Sequence, residues 1–224
     1  MAAVSLLGST FTTTAGAKSV TASPAVGDLI VIFVQVAADS TFSNPTDDNS
    51  SGTYTLAGNQ IGGGAGPSAA MFVRDALIAS ATSTIFSLAN PGSDTGGGLA
   101  VIKITGMSKF GSTAVRQAKN SSGAAASTPG TGAWSSAKLT SNPVIGAVVN
   151  TSNPAAVTPT ASYSELLDTG YSTPTMGIEI QKIDSGDTTS TMTWGSTSAS
   201  QWACIGVELD ASASANTGNM FLMF

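Results

Sequence analysis

Few residues in this chain could do chemistry. Histidine is absent, which removes Ser-His-Asp and Cys-His nucleophile systems and any histidine-ligated metal. The one cysteine, Cys204, stands in the apolar stretch Ala203-Cys204-Ile205. With no base to activate it, it reads as a small buried hydrophobe, and it has no partner for an intrachain disulfide. Carboxylates could act in pairs, as in glycoside cleavage. Asp47 and Asp48 are adjacent, so on a strand they would point to opposite faces. They lie in Asn44-Pro45-Thr46-Asp47-Asp48-Asn49-Ser50-Ser51-Gly52, a turn cluster in which Asx side chains bond the local backbone. Calcium is the rival ligand for this loop, but the position that should carry the closing Glu is Gly58. Asp184-Ser185-Gly186-Asp187 reads as a hairpin turn, with an ion site as its alternative. Gly62-Gly63-Gly64 and Gly96-Gly97-Gly98 lack a following helix and a Lys-Ser/Thr ending, so they read as flexible turns and not as a phosphate loop.

Three tryptophans could form a sugar-binding platform. Trp202 opens an apolar strand and reads as core. Trp194 ends a strand before Gly195, and Trp134 follows a Gly/Ser-rich loop, so both are expected to be at least partly exposed. The expectation is therefore no catalytic, cofactor or metal residue. Trp134 and Trp194 are kept as candidates for glycan binding.

The elements that must position these residues are strands. Leu29 to Val34 is a continuous apolar run between Gly27-Asp28 and a turn cluster, the pattern of a strand buried on both faces. Further strands are predicted over 5–14, 53–56, 70–74, 82–88 and 99–105. Asn120 to Gly132 is predicted to be a loop. In Ile178-Glu179-Ile180-Gln181 the isoleucines face one way and the polar residues the other, and Ile205, Val207 and Leu209 alternate likewise with Gly206 and Glu208. No window has helical periodicity. Val144 to Val149 matches the long apolar strand, Tyr163 answers Tyr54, and Ile178 and Ile180 answer Met71 and Val73, at offsets of about 105 to 115 residues. A period this long predicts two tandem jelly-roll-like antiparallel β-sandwiches from an internal duplication. The divisions are 1–107, 108–210 and a tail over 211–224.

Composition narrows the function classes. Charged residues make up 9% of the 224, against roughly 25% in ordinary domains. Gly and Pro number 25 and 9, and short β-branched and turn-forming residues fill the rest. The 8 basic residues are spread along a chain of net charge −5. Without a basic cluster to neutralise phosphates, nucleic acid is not expected as a partner. The longest apolar run, Leu29 to Ala38, is about half a membrane span and contains Gln35, so no membrane insertion is expected. No signal peptide is expected, because the first residues lack a basic region. The sequons at Asn49, Asn120 and Asn150 are read as chance.

Three stretches together resemble a known family: Gly27-Asp28-Leu29-Ile30-Val31, then Asp47 to Thr55 with Thr53-Tyr54-Thr55, then Leu99 running into Gly106. The chain resembles the phage-encoded two-repeat β-sandwich virion proteins of the capsid decoration (cement) type over about residues 25 to 210. Gly52 directly precedes Thr53 where that family has Gly-Asn, a departure that touches only the turn type. The resemblance implies a non-enzymatic virion protein on the capsid surface. Its implied partner is the major capsid protein, and its expected state is a homo-oligomer, with a trimer as the specific expectation. The alternative is a tail-fibre or receptor-binding module for host glycans, and a glycoside-cleaving sandwich is the third reading. Beyond the resemblance, Ala211 to Asn219 leads into Met220-Phe221-Leu222-Met223-Phe224. Five consecutive apolar residues are an aggregation liability unless covered, so these five are expected to bind a partner, with folding back onto their own domain as the alternative.

Overall fold

A computed structural model describes residues 1–59, 66–91, 96–123, 128–151, 157–172, 175–195 and 201–212. The first half contains β1 (Ala3–Thr12), β2 (Lys18–Ala22), β3 (Leu29–Val36), β4 (Thr46–Asp47), β5 (Tyr54–Leu56), β6 (Ser68–Arg74), β7 (Thr84–Leu88) and β8 (Gly97–Thr105). One helical turn, α1 (Gly111–Ala114), carries the chain across. The second half contains β9 (Val115–Gly123), β10 (Gly130–Ala133), β11 (Val144–Asn150), β12 (Ser164–Ser172), β13 (Thr175–Ile183), β14 (Thr191–Thr193) and β15 (Trp202–Leu209).

The pairing runs from the outside inward. β1 pairs β8, β2 pairs β7 and β3 pairs β6, all antiparallel. Rolling up an antiparallel ribbon produces this order, which is the jelly-roll arrangement. A five-stranded sheet, β1-β8-β3-β6-β5, is opposed by a small sheet, β2-β7-β4. In the second half β9 pairs β15, β10 pairs β14 and β11 pairs β13. This gives a five-stranded sheet β9-β15-β11-β13-β12 and a small sheet β10-β14. The two halves thus share one pairing scheme.

Strand alternation sorts the side chains into three cores. Ile30, Ile32 and Val34 point with Phe72, Phe86 and Leu88 into the interior of the first half. Val148, Met192, Trp194, Trp202 and Cys204 fill the interior of the second. The opposite faces of both large sheets meet: Leu29, Val31, Phe33, Met71 and Ile102 share one cluster with Ile145, Ala147, Ile178, Ile180 and Ile205. The large sheets therefore stack on each other, and the small sheets form the outer layers. Phe11 stacks on Tyr171 across the halves, 3.4 Å between centroids and 10° between planes.

Two local expectations need correction, and two further details lie beyond the sequence pattern. The predicted loop Asn120–Gly132 holds the end of β9 and the start of β10; the Ser/Gly-rich β9 is an edge strand whose regularity comes from β15. Gly97 and Gly98 are not turn residues but open β8 against Gln35 and Val36. A Cβ on Gly97 would lie 2.3 Å from the Gln35 carbonyl oxygen, so close backbone approach explains the glycine. The alternation expected of β13 holds, with Ile178 and Ile180 in the central core; its polar side, Glu179 and Gln181, is fully buried as well, because the second half has an interior on that side. Short β2, with Lys18 and Val20 buried and Ala22 packed against the same core, carries too little apolar pattern to be read as a strand.

Candidate functional site

Asp47 and Asp187 each sit in a buried polar cluster, one in each half. In the first, β4 supplies Asp47, β5 supplies Tyr54 and β6 ends on Arg74. Arg74 holds Asp47 with two bonds, Nε to Oδ2 at 2.7 Å and Nη2 to Oδ1 at 3.2 Å. The Tyr54 hydroxyl donates to Asp47 Oδ2 at 2.7 Å and the Asn49 amide to Oδ1 at 2.9 Å. Arg74 Nη1 donates to the Ala76 and Leu77 carbonyls, and Nη2 to that of Asn49. The pair is sealed, with side chains 2% and 0% exposed. Burial, and then the Asp47 carboxylate, push the Tyr54 hydroxyl above its ordinary range. The carboxylate oxygens proposed for calcium are thus occupied by Arg74, Tyr54 and the turn itself. Asp48 is exposed and accepts from the Ile85 amide.

The second cluster uses different positions for the same chemistry. Lys138 Nζ lies 2.8 Å from Asp187 Oδ2, and Tyr163 donates its hydroxyl to the same oxygen. Thr189 donates its amide and hydroxyl to Oδ1 at 2.9 and 2.8 Å. Burial opposes ionisation of Asp187, but the Lys138, Tyr163 and Thr189 bonds hold its carboxyl below the usual value. Asp184, also weighed as an ion ligand, accepts from the Val4 amide of β1 and from Lys182. It ties the two halves together. A third buried carboxylate, Glu208, is bonded by Arg116, Gln117, Asn142 and the Leu139 amide.

Glu179 is the exception. Neither carboxyl oxygen has a hydrogen-bond partner among the described residues. Burial first, then the negative charges of Asp168 and Glu165, push it up to about 9. It is a neutral acid at pH 7, shielded from solvent.

The tryptophans separate. Trp194, expected to be partly exposed, is 1% exposed in the second interior; its ring lies with the Met192 side chain over Gly146, which has no side chain of its own to displace them. Trp202 is core. Trp134 is half-buried, with Lys138 Nζ 4.6 Å from its ring centroid. It borders a cavity of about 290 Å³ with Ser136, Lys138, Thr189 and Ser190. Cys204 is buried, and burial pushes its thiol up to about 12, far from thiolate reactivity. Met220–Phe224 and Gly62–Gly64 lie outside the described residues.

Sequence reasoning missed Arg74, Lys138, Glu179 and Glu208. The usable signal was the matched pair Tyr54 and Tyr163, each of which bonds an aspartate. Comparison with protein-family models and with curated proteins found no match.

Proposed function

We propose that the chain is a non-enzymatic phage virion structural protein, a capsid decoration (cement) protein whose partners are the major capsid protein and further copies of itself in a trimer. An internal duplication would account for the shared pairing scheme of the two halves. The observation that carries this reading is the use of the ionisable groups. Asp47, Asp187 and Glu208 are buried carboxylates locked in ion pairs that hold the sandwich together, and the cavity at Trp134 contains no carboxylate. Low surface charge suits broad contact faces, since interface centres are depleted in charge. The test is to mix the purified protein with capsids that lack it and to sediment them. Co-sedimentation at fixed stoichiometry, with capsids surviving a higher temperature, is expected. Capsids that neither bind the protein nor gain stability would sink the proposal.

The second reading, a glycan-binding module, is favoured by the cavity beside Trp134 alone. Lys138 already occupies space over that ring, which leaves less of it for a sugar. A glycan-array signal abolished by Trp134→Ala would move belief to this reading.

A further inference from the structure

We infer that the buried pair Lys138 and Asp187 condenses into an intramolecular amide (isopeptide) bond, a self-modification that needs no other molecule. Lys138 stands in the connection between β10 and β11, and Asp187 in the turn between β13 and β14. Nζ and Oδ2 are 2.8 Å apart, with side chains 0% and 2% exposed. The pairs Lys109–Asp210 and Lys182–Asp184 have side chains 18 to 35% exposed, so water solvates them. At rest the sealed pair is ionic, because the Lys138, Tyr163 and Thr189 bonds favour the carboxylate. Two ions shut away from water still carry a desolvation penalty. Transfer of a proton from Nζ to Oδ2 relieves that penalty and leaves a neutral amine, the nucleophilic form of lysine, against a neutral carboxylic acid.

The carboxyl is surrounded as acyl transfer requires. Thr189 donates its amide and its hydroxyl to Oδ1 at 2.9 and 2.8 Å, two donors set where negative charge gathers when Nζ adds to Cγ. Tyr163 donates its hydroxyl to Oδ2, the oxygen that leaves. Lys138 is held in place too. Its Nζ donates to the Thr189 carbonyl and lies 4.6 Å from the Trp134 ring centroid, and Glu208 fixes the amide of the next residue, Leu139. Nucleophile and acyl carbon are confined together, which replaces a bimolecular encounter. The step balances within the pair. The Nζ–Cγ bond forms and the Cγ–Oδ2 bond breaks; two of the three ammonium protons depart with Oδ2 as one water, and the third stays on the amide nitrogen. Both buried charges vanish together. The first half builds a like cage around Asp47 from Tyr54 and the Asn49 amide, but sets Arg74 at the cation position. A guanidinium stays charged in proteins, so that cluster remains an ion pair.

This inference does not rest on the capsid reading, and its test uses the purified chain alone. The folded protein is incubated at pH 7, denatured and weighed intact by mass spectrometry. A mass lower by one water than the sequence requires is expected. Trypsin should no longer cut after Lys138, and a branched peptide should join the one that starts at Asn120 to the one that starts at Ile183. Lys138→Arg, which copies the pairing of the first half, is expected to keep its full mass. A parent chain of full sequence mass, cut normally after Lys138, would overturn the inference, as would a loss of one water that persists in Lys138→Arg. The branched peptide is read in the parent chain, so the result stands even where the variant fails to fold.

Discussion

Asp47 and Glu179 are both buried carboxyls, yet their neighbours differ completely. Asp47 is met by a guanidinium, a hydroxyl and an amide, so its charge is compensated. Asp47→Ala leaves Arg74 charged and buried, and is expected to cost about 3–5 kcal/mol in urea unfolding. A double variant that replaces Arg74 as well, Asp47→Ala with Arg74→Met, should recover part of that loss, because the uncompensated charge is gone. Among the described residues Glu179 has no such partner. Its carboxyl titrates near 9 when folded, against about 4.5 otherwise, so the folded state holds the proton more tightly. The contribution to stability is therefore fully present below pH 4.5 and is lost as pH rises through about 9, at no more than about 1.4 kcal/mol per pH unit. Glu179→Gln is expected to remove this slope. The variant's melting temperature should exceed the parent's by a margin that widens from pH 5 to pH 9, and a margin constant with pH would refute the assignment.

At the level of elements, the second half seats large side chains on glycines within strands. Trp202 packs over Gly123 of β9, Trp134 over Gly206 of β15, and Met192 with Trp194 over Gly146 of β11. A Cβ at Gly146 would lie 1.8 Å from Met192 Sδ and 3.0 Å from the Trp194 ring. Gly146→Ala is thus expected to destabilise by about 1–3 kcal/mol through overpacking, seen as a lower urea midpoint with unchanged slope. Met192→Ala in the same chain should relieve part of the clash. These strand glycines were visible in the sequence as isolated breaks in Val144 to Val149 and Ile205 to Leu209. The rings that fill them come from distant segments, so the spacing alone does not reveal their purpose.

For the whole molecule, the central core decides cooperativity. Leu29, Val31 and Phe33 pack in the same cluster as Ile145, Ala147 and Ile205, and Asp184 bonds the Val4 amide across the halves. Neither half can bury that face alone. A single calorimetric transition is expected, with the calorimetric and van't Hoff enthalpies equal. A fragment of residues 1–107 should aggregate or bind a hydrophobic dye. Two resolved transitions, or a soluble folded fragment, would show the division near 107 to be a division of stability.

The sequence alone determined the all-β class, the strand content of a sandwich, and the buried apolar runs of β3 and β11. These follow from local alternation, apolar run length and turn residues, which a linear pattern carries. Tertiary structure alone decided that the polar face of β13 is interior, that Trp194 is core, and that Arg74 and Lys138 neutralise Asp47 and Asp187. The partners in each case lie tens of residues apart, and burial depends on which layer covers a face. Strand period reports that a residue faces one side of a sheet; only packing reports what that side meets.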